Sequence, residues 1–271
     1  MEDKILIFIP MYRCEKQIPR VLAQIARLGE GQKRFAEVLV VDNGSPDESI
    51  PAAARAIREL SIPARVVRNR ENYSLGGSHK VAFLYAITHG FTHVVVLHGD
   101  DQGCIDDLLP ILDGGLHRQA DSLLGSRFMK QSRLSGYSRF RVFGNLVFNA
   151  AVSVLSGRAV KDLGSGLNIY QTRYLEDKFF LPFPNDLTFN VYLLLYGAYV
   201  RSRFDFFPIS WREEDQVSNA RLWSQSKRIL GLALSYAANR QRLFRRLAEN
   251  GVRQTYEYDI VARNKEAESH E

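Results

Sequence analysis

Cysteine is scarce in this chain: Cys14 and Cys104 are the only two among 271 residues. Two thiols so far apart make neither a disulfide framework nor a zinc-ligand spacing, so a reducing, cytosolic compartment is expected. Long apolar runs are lacking as well. The longest, VFGNLVFNAAVSVL at 142–155 and ILGLALSYAA at 229–238, fall short of the roughly 20 residues that a membrane-crossing helix needs. No secretory leader is read at the start, because MEDKILIFIP carries two acids and reaches proline before an apolar region of useful length. Internal repeats and low-complexity tracts are also missing. These absences argue against a disulfide-stapled module, a cysteine-based metal module and a membrane-spanning protein.

What is present is an ordinary globular composition. Apolar residues make up 45% and charged residues 24%, enough to build a sizeable core in one large domain. The net charge of +6 favours anionic partners: phosphates, an acidic membrane face or nucleic acid. No helix-turn-helix pattern and no stacked aromatic-basic module accompanies that charge, so nucleic acid is not expected as a partner.

Apolar runs rich in β-branched residues alternate with helical stretches through the first half. Strands are expected over 4–10, 37–42, 64–69, 92–100 and 121–128, with helices over 17–28, 47–60, 76–90 and 104–114 between them. This alternation predicts an α/β fold with a mostly parallel sheet covered by helices on both faces. In such sheets ligands gather at the carboxyl ends of the strands. Strands one, two and four end in Pro10-Met11-Tyr12, Asp42-Asn43-Gly44-Ser45 and His98-Gly99-Asp100-Asp101, so dispersed polar residues are expected to converge on one edge. Further on, 129–141 reads as a mobile basic loop and 138–156 as a helix. Residues 161–170 read as a turn into a strand, 185–198 as a helix and 199–211 as a strand. A long basic amphipathic helix is expected over 220–251, and the last twenty residues, polar throughout, should fray.

Two motifs carry chemistry. An acid pair at a strand end suits Mg2+ or Mn2+, which take one or two protein carboxylates and complete their shell with phosphate and water. Capping of the next helix by Asp100 and Asp101 is the plainer alternative. In VVDNGSPDES at 40–49, Asp42 closes an apolar strand before a sharp turn, where it can accept hydrogen bonds from a base or ribose.

These stretches, in this order, resemble the inverting family-two glycosyltransferases of the GT-A fold. IPMYRCE is similar to that family's Pro-x-Tyr-Asn-x-Glu opening, with Pro10, Tyr12 and Glu15 matching and Arg13 in place of asparagine. VVDNGSPD is similar to VVDDGSTD, with Asp42 at the nucleotide-base position and Asp47 further on. ENYSLGGSHKVAF is similar to the N-x-G-x-x-x-A stretch and supplies Asn72, Gly76 and Gly77. His98-Gly99-Asp100 aligns with the DXD element, Gly125-Ser126-Arg127 with GSR, and Asp162, Ser165 and Gly166 with D-x-x-S-G. The resemblance covers residues 4 to about 220 and is nearest to the subgroup of dolichol-phosphate mannose synthase and its bacterial polyprenyl-phosphate relatives.

The resemblance implies displacement, with inversion, at the anomeric carbon of a UDP- or GDP-sugar. Asp100 would hold a divalent Mg2+ or Mn2+ ion, with His98 as a second metal candidate; imidazole suits Mn2+ better than Mg2+. The donor would lie against Pro10, Tyr12, Glu15, Asp42, Asn72, Gly76, His98, Asp101 and Gln102. For His98, packing alone is the alternative.

The acceptor would be a polyprenyl phosphate, positioned by Arg127, Arg139, Arg212 and Ser165. Lys130, Arg133 and Arg141 lie in the same basic half, and ordinary surface charge is the alternative for several of these. Arg212 resembles the late arginine of the subgroup's R-x-x-G-x-S-K stretch, of which Ser218 is retained and Asn219 replaces lysine. For a saccharide hydroxyl acceptor, Asp186 or Asp162 would be the base, with helix capping the alternative for Asp186. A non-catalytic nucleotide-sugar-binding subunit is a further alternative.

The resulting expectation is a GT-A catalytic domain over 1–220, then a basic amphipathic helix and tail over 221–271. The helix would contact the cytoplasmic face of a membrane, or pack on the domain or on a second copy in a homodimer.

Overall fold

The computed structural model describes residues 3–213, 222–249 and 251–264, with no account of the side chains of 222–224. Elements follow in the order β1 (Ile5–Met11), α1 (Ile18–Ala26), β2 (Glu37–Asp42), α2 (Ser49–Ala56), β3 (Ala64–Asn69), α3 (Ser74–Thr88), β4 (His93–Leu97), α4 (Leu109–Asp113) and β5 (Ser122–Ser126). The second half contains β6 (Arg133–Ser135), α5 (Arg139–Ser156), β7 (Leu167–Gln171), α6 (Thr172–Leu175), α7 (Phe189–Tyr199), β8 (Phe204–Pro208), β9 (Ser210–Arg212), α8 (Leu222–Glu249) and β10 (Tyr258–Arg263).

Eight strands form one sheet in the order β10-β3-β2-β1-β4-β7-β5-β8, and β6 pairs with β9 separately. Pairs β1–β2, β2–β3, β1–β4 and β5–β8 are parallel, while β7 runs antiparallel to both its neighbours and β10 antiparallel to β3. The architecture is the α/β GT-A arrangement.

The central strands are apolar without alternation because both sheet faces are covered, and the pleat sends successive residues to opposite layers. Leu6 and Phe8 of β1, Leu39 and Val41 of β2, and Val94 and Val96 of β4 join one core. Ile7 and Ile9, Val38 and Val40, and Val95 and Leu97 join the other. The chain leaves β1 for β2 and β3 on one side, then returns to place β4 on the other. The crevice beyond the carboxyl ends of β1 and β4 is therefore the topological switch point, where ligands bind in such sheets.

Three expectations are corrected. The stretch read as a loop contains β6, which pairs in parallel with β9. The strand expected over 199–211 is two strands, divided just after Pro208, which has no amide to donate to a ladder. The tail does not fray throughout: β10 closes the sheet edge against β3, and the Asn264 amide donates to the Leu60 and Ile62 carbonyls at 3.1 and 2.9 Å. The expected boundary at 220, with Ser218 and Asn219, lies outside the described residues.

Candidate active site

At the switch point the two strand ends touch. The Gly99 amide donates to the Pro10 carbonyl at 3.1 Å, and a Cβ on Gly99 would come within 2.8 Å of that oxygen, so only glycine fits. Cys14 lies in the turn after β1. Burial, and after it the negative fields of Asp100, Asp47 and Asp42, push its thiol up to about 12. Three carboxylates from two strand ends, Asp42 and Asp47 at and after β2 and Asp100 after β4, thus surround one small region, as expected of this edge.

Asp42 is fully buried, and its carboxylate accepts from the Gly44 and Ser45 amides at 3.0 and 3.1 Å, which locks the turn after β2. Asn43 extends this turn. It donates to the Asn72 side chain at 2.8 Å and accepts from Asn69 at 3.1 Å and from the Tyr73 amide at 2.8 Å. Asn69 is not among the residues singled out in the sequence, and Asn43 is marked there only as part of the strand-end turn, with no binding role. Arg13, in place of the asparagine of similar sequences, has a left-handed backbone (φ 55°), which asparagine adopts more readily. Its guanidinium lies 5.4 Å from the Tyr12 ring centroid, and its amide donates to the Ser45 hydroxyl at 3.0 Å. Glu15 accepts from the Glu48 amide at 3.2 Å, tying the turn after β1 to the start of α2.

After β4, the two acids have different surroundings. Asp100 accepts from the Gln102 amide at 3.3 Å, and burial pushes its carboxyl up to about 6 against that hydrogen bond. Asp101 is left-handed (φ 60°) and 1% exposed. Arg20 at 2.7 Å, Gln24 at 2.8 Å and Arg212 all bind its carboxylate. Arg212 also donates to its carbonyl at 2.8 Å. Asp101 and Arg212, expected at donor and acceptor phosphate respectively, are therefore bound to each other. Together they brace the loop that presents Asp100.

Arg127 and Asp162 form a second such pair. Two parallel bonds of 2.8 Å join guanidinium to carboxylate, and the Arg127 amide adds a third at 3.0 Å. The pair is buried, and the guanidinium lies 5.1 Å from the Trp211 ring centroid. Asp162 as a free base and Arg127 as a free phosphate ligand are both replaced by one ion pair. The Ser165 hydroxyl lies 3.1 Å from the Leu167 carbonyl, within its own turn, whereas Arg139 is exposed at the start of α5 with no ion-pair partner among the described residues.

His98 packs over Gly166, where a Cβ would lie 2.8 Å from the imidazole, which explains the glycine of D-x-x-S-G. Burial, then the Arg127 charge, lowers its pKa to about 4, so the ring is neutral, and its Nε2 is buried without a partner. The His79 ring lies 6.1 Å away and likewise has an unpartnered Nε2.

Gly76 packs against the loop before α7, its amide donating to the Asn185 carbonyl at 2.7 Å. In that loop Asp186 accepts from the Thr188 amide and hydroxyl at 2.8 and 2.5 Å, and pairs with Arg228 of α8. Burial raises the Asp186 pKa, but the Thr188 bonds and the Arg228 charge outweigh it and leave the group below the usual carboxylate range. Lys80 is a further residue the sequence did not mark. Fully buried, it donates to the Leu181 and Phe183 carbonyls, to Asn185 at 2.7 Å and to the Tyr256 hydroxyl at 3.2 Å.

A cluster with metal-ligand composition lies at the opposite edge of the sheet: Asp3, His93 and His117. The His117 Nε2 and the Arg118 guanidinium both bind Asp3 Oδ2, at 2.8 and 2.7 Å, so that carboxylate already has a cationic partner. At the carboxyl edge of the strands, Asp100, which the family resemblance aligns with the DXD element, accepts a bond from the Gln102 amide and keeps acceptor capacity. That chemistry suits a hard divalent ion which takes most of its ligands from substrate and water.

A mixed sheet of this order, with acids converging where β1 and β4 part, defines the class of GT-A nucleotide-sugar transferase folds. The glycosyl transferase family 2 model matches residues 6–178, and the chain belongs to that family. Among curated relatives it is 26% identical over 179 residues to an undecaprenyl-phosphate 4-deoxy-4-formamido-L-arabinose transferase of Sodalis glossinidius, covering 64% of this chain and 51% of that protein. It is 22% identical over 174 residues to a polyprenol monophosphomannose synthase of Mycolicibacterium smegmatis, 64% of each chain. The chain thus spans about half to two thirds of the length of the curated relatives it matches. Among solved structures, glucosyl-3-phosphoglycerate synthase from Mycobacterium tuberculosis in complex with UDP shares the fold. The TM-score is 0.62 at 18% identity, over 87% of this chain and 80% of that one. A complex of the same enzyme with Mn2+, UDP-glucose and phosphoglyceric acid superposes with a TM-score of 0.61 at 17% identity, over 87% and 80% of the two chains.

Proposed function

We propose that this chain transfers a sugar, with inversion, from a UDP- or GDP-sugar to a polyprenyl phosphate. The observation that carries the reading is the convergence of Asp42, Asp47 and Asp100 on the switch point of a family-two fold. The turn locked by Asp42 and Asn43, with Tyr12 beside it, holds base and ribose. Asp100 presents its carboxylate toward the donor diphosphate and is ionised at neutral pH. A bound Mg2+ or Mn2+ would neutralise charge on the departing diphosphate, as expected of a Lewis acid there. Asp101, braced by Arg20 and Arg212, fixes the loop. His98, neutral and unpartnered at Nε2, donates or accepts one hydrogen bond at the donor.

The acceptor follows from what the site lacks. A sugar hydroxyl needs a general base, and both acids considered for that role are engaged: Asp162 by Arg127 and Asp186 by Arg228. A phosphate is already anionic and needs only cations to position it. The curated relatives named for undecaprenyl phosphate and polyprenol support the same class. Screening UDP- and GDP-sugars with Mn2+ against polyprenyl phosphate and against oligosaccharides, with product identification, tests this. A glycosyl-phosphoryl lipid is expected. A product glycosylated on a saccharide hydroxyl, or no turnover with any donor, would overturn it.

A further inference from the structure

We propose that Arg253 is a positioning residue for the donor nucleotide. It clamps the loop after β3, and that loop in turn holds the turn after β2. The nucleotide rests on the function proposed for the crevice; the clamp does not.

The loop over residues 70–73 is polar, and Arg70, Glu71 and Asn72 are exposed. Ser74, which begins α3, is left-handed (φ 58°), a conformation that a residue other than glycine keeps only where its surroundings impose it. On its inner side the loop meets the turn assigned to base and ribose. The Tyr73 amide donates to Asn43 Oδ1 at 2.8 Å. Asn72 Oδ1 accepts from Asn43 Nδ2 at 2.8 Å and from the Ser74 amide at 3.0 Å. Asn69, the last residue of β3, donates to the same Asn43 oxygen at 3.1 Å. Asn43 adjoins Asp42, so a displaced loop displaces the turn.

On its outer side the loop meets the chain ahead of β10, almost residue by residue. The Arg70 amide donates to the Glu257 carbonyl at 3.1 Å, and its guanidinium binds Glu257 at 3.0 Å and Asp259 at 2.9 Å. The Arg253 guanidinium donates twice to the Glu71 carboxylate, at 3.0 and 3.1 Å, a two-pronged bond that fixes direction as well as distance. A surface ion pair alone contributes little. This guanidinium, however, also lies 4.5 Å from the Tyr73 ring centroid and 5.3 Å from that of Tyr256. The two rings meet edge to face at 5.2 Å, and the Tyr73 hydroxyl donates to the Glu257 carbonyl at 3.1 Å. Tyr256 is buried, its hydroxyl bonded to Lys80 at 3.2 Å and to Asn185 at 3.0 Å. The segment is therefore anchored in the core while Arg253 reaches out to the loop. Closing the sheet edge needs only β10; the grip on residues 70–73 is additional. It comes from outside residues 6–178, which match the family.

Calorimetric titration of UDP and GDP, each with Mn2+, into wild type and Arg253→Gln tests the proposal. Amide hydrogen exchange of the two nucleotide-free proteins accompanies it. Because Arg253 is exposed, the variant should keep the wild-type melting temperature. Its Tyr73 and Ser74 amides should exchange faster, and its nucleotide affinity should fall about fivefold. In turnover the loss should appear in the donor KM, with kcat within about twofold of wild type. Equal affinity in the two proteins overturns the proposal, even if exchange is faster. Weaker binding without faster exchange also overturns it, since loss of charge alone would then explain the change. No nucleotide binding by wild type removes the proposed function and this role with it, whereas binding that the variant leaves intact removes the role alone.

Discussion

At the scale of single residues, the main result is that charged groups with interchangeable roles in the sequence have distinct ones in the structure. Asp100 and Asp101 are adjacent, yet one retains acceptor capacity while the other is bound by two arginines and a glutamine. Asp162 and Arg127 were candidates for separate tasks and form one buried pair. Breaking such a pair leaves an uncompensated charge and costs about 3–5 kcal/mol. Asp162→Ala should therefore lower stability by that order in denaturant unfolding. A general base would behave otherwise, losing kcat at unchanged stability. For Asp186, held below the usual carboxylate range, Asp186→Asn should leave transfer to a phosphate acceptor within about threefold. A loss of about a hundredfold or more, the size of a general-base contribution, would restore it as the base.

At the scale of elements, strands β1 to β5 were legible because each is a short apolar run bounded by turn residues, information that is local in the chain. The converging edge was legible for the same reason, since a strand's carboxyl end is fixed once the strand is. What escaped depends on distant partners. β6 and β9 are three residues each and exist only by pairing with one another, and β10, YDIVAR, carries two charges and half-exposed positions. Nothing in VFGNLVFNAAVSVL shows which of its apolar positions turn inward, so the burial of Val152 and the exposure of Phe143, Val147 and Val154 could not be read from it.

Lys80 connects three of these elements: α3, the loop before α7, and Tyr256 ahead of β10. Burial without a carboxylate lowers its pKa from 10.5 to about 8. The unfolded chain then binds more protons than the native one between these values, so stability rises with pH across that window. The slope is up to about 1.4 kcal/mol per pH unit. Above about pH 9 the buried Cys14 thiol and tyrosines such as Tyr85, all raised by burial, oppose this rise, so the lysine is read as a difference. Between pH 8 and 9 the urea-unfolding stability of wild type should climb relative to that of Lys80→Met, and parallel curves would contradict it.

For the whole molecule, buried neutral histidines set the acid limit. Burial lowers His79 to about 3 and His93 to about 4, against 6.5 in the open chain. Below pH 6.5 the unfolded state takes up protons that the native state refuses, so stability should fall steadily toward pH 4. Asp100, raised to about 6, works in the opposite direction, but over a smaller shift than the two histidines combined. A denaturation midpoint that does not change between about pH 7 and 5 would show that these rings are not held neutral.

The proposed function gives Asp100 one task, to face a nucleoside diphosphate at the crevice where β1 and β4 end. Calorimetric titration of UDP and GDP in the presence of Mn2+ into wild type and Asp100→Asn tests it most directly, with both proteins matched in melting temperature. The prediction is saturable, Mn2+-dependent binding of at least one nucleotide to wild type and a loss of more than about tenfold in the variant. Equal affinity in the two proteins, or no binding to wild type, would contradict it.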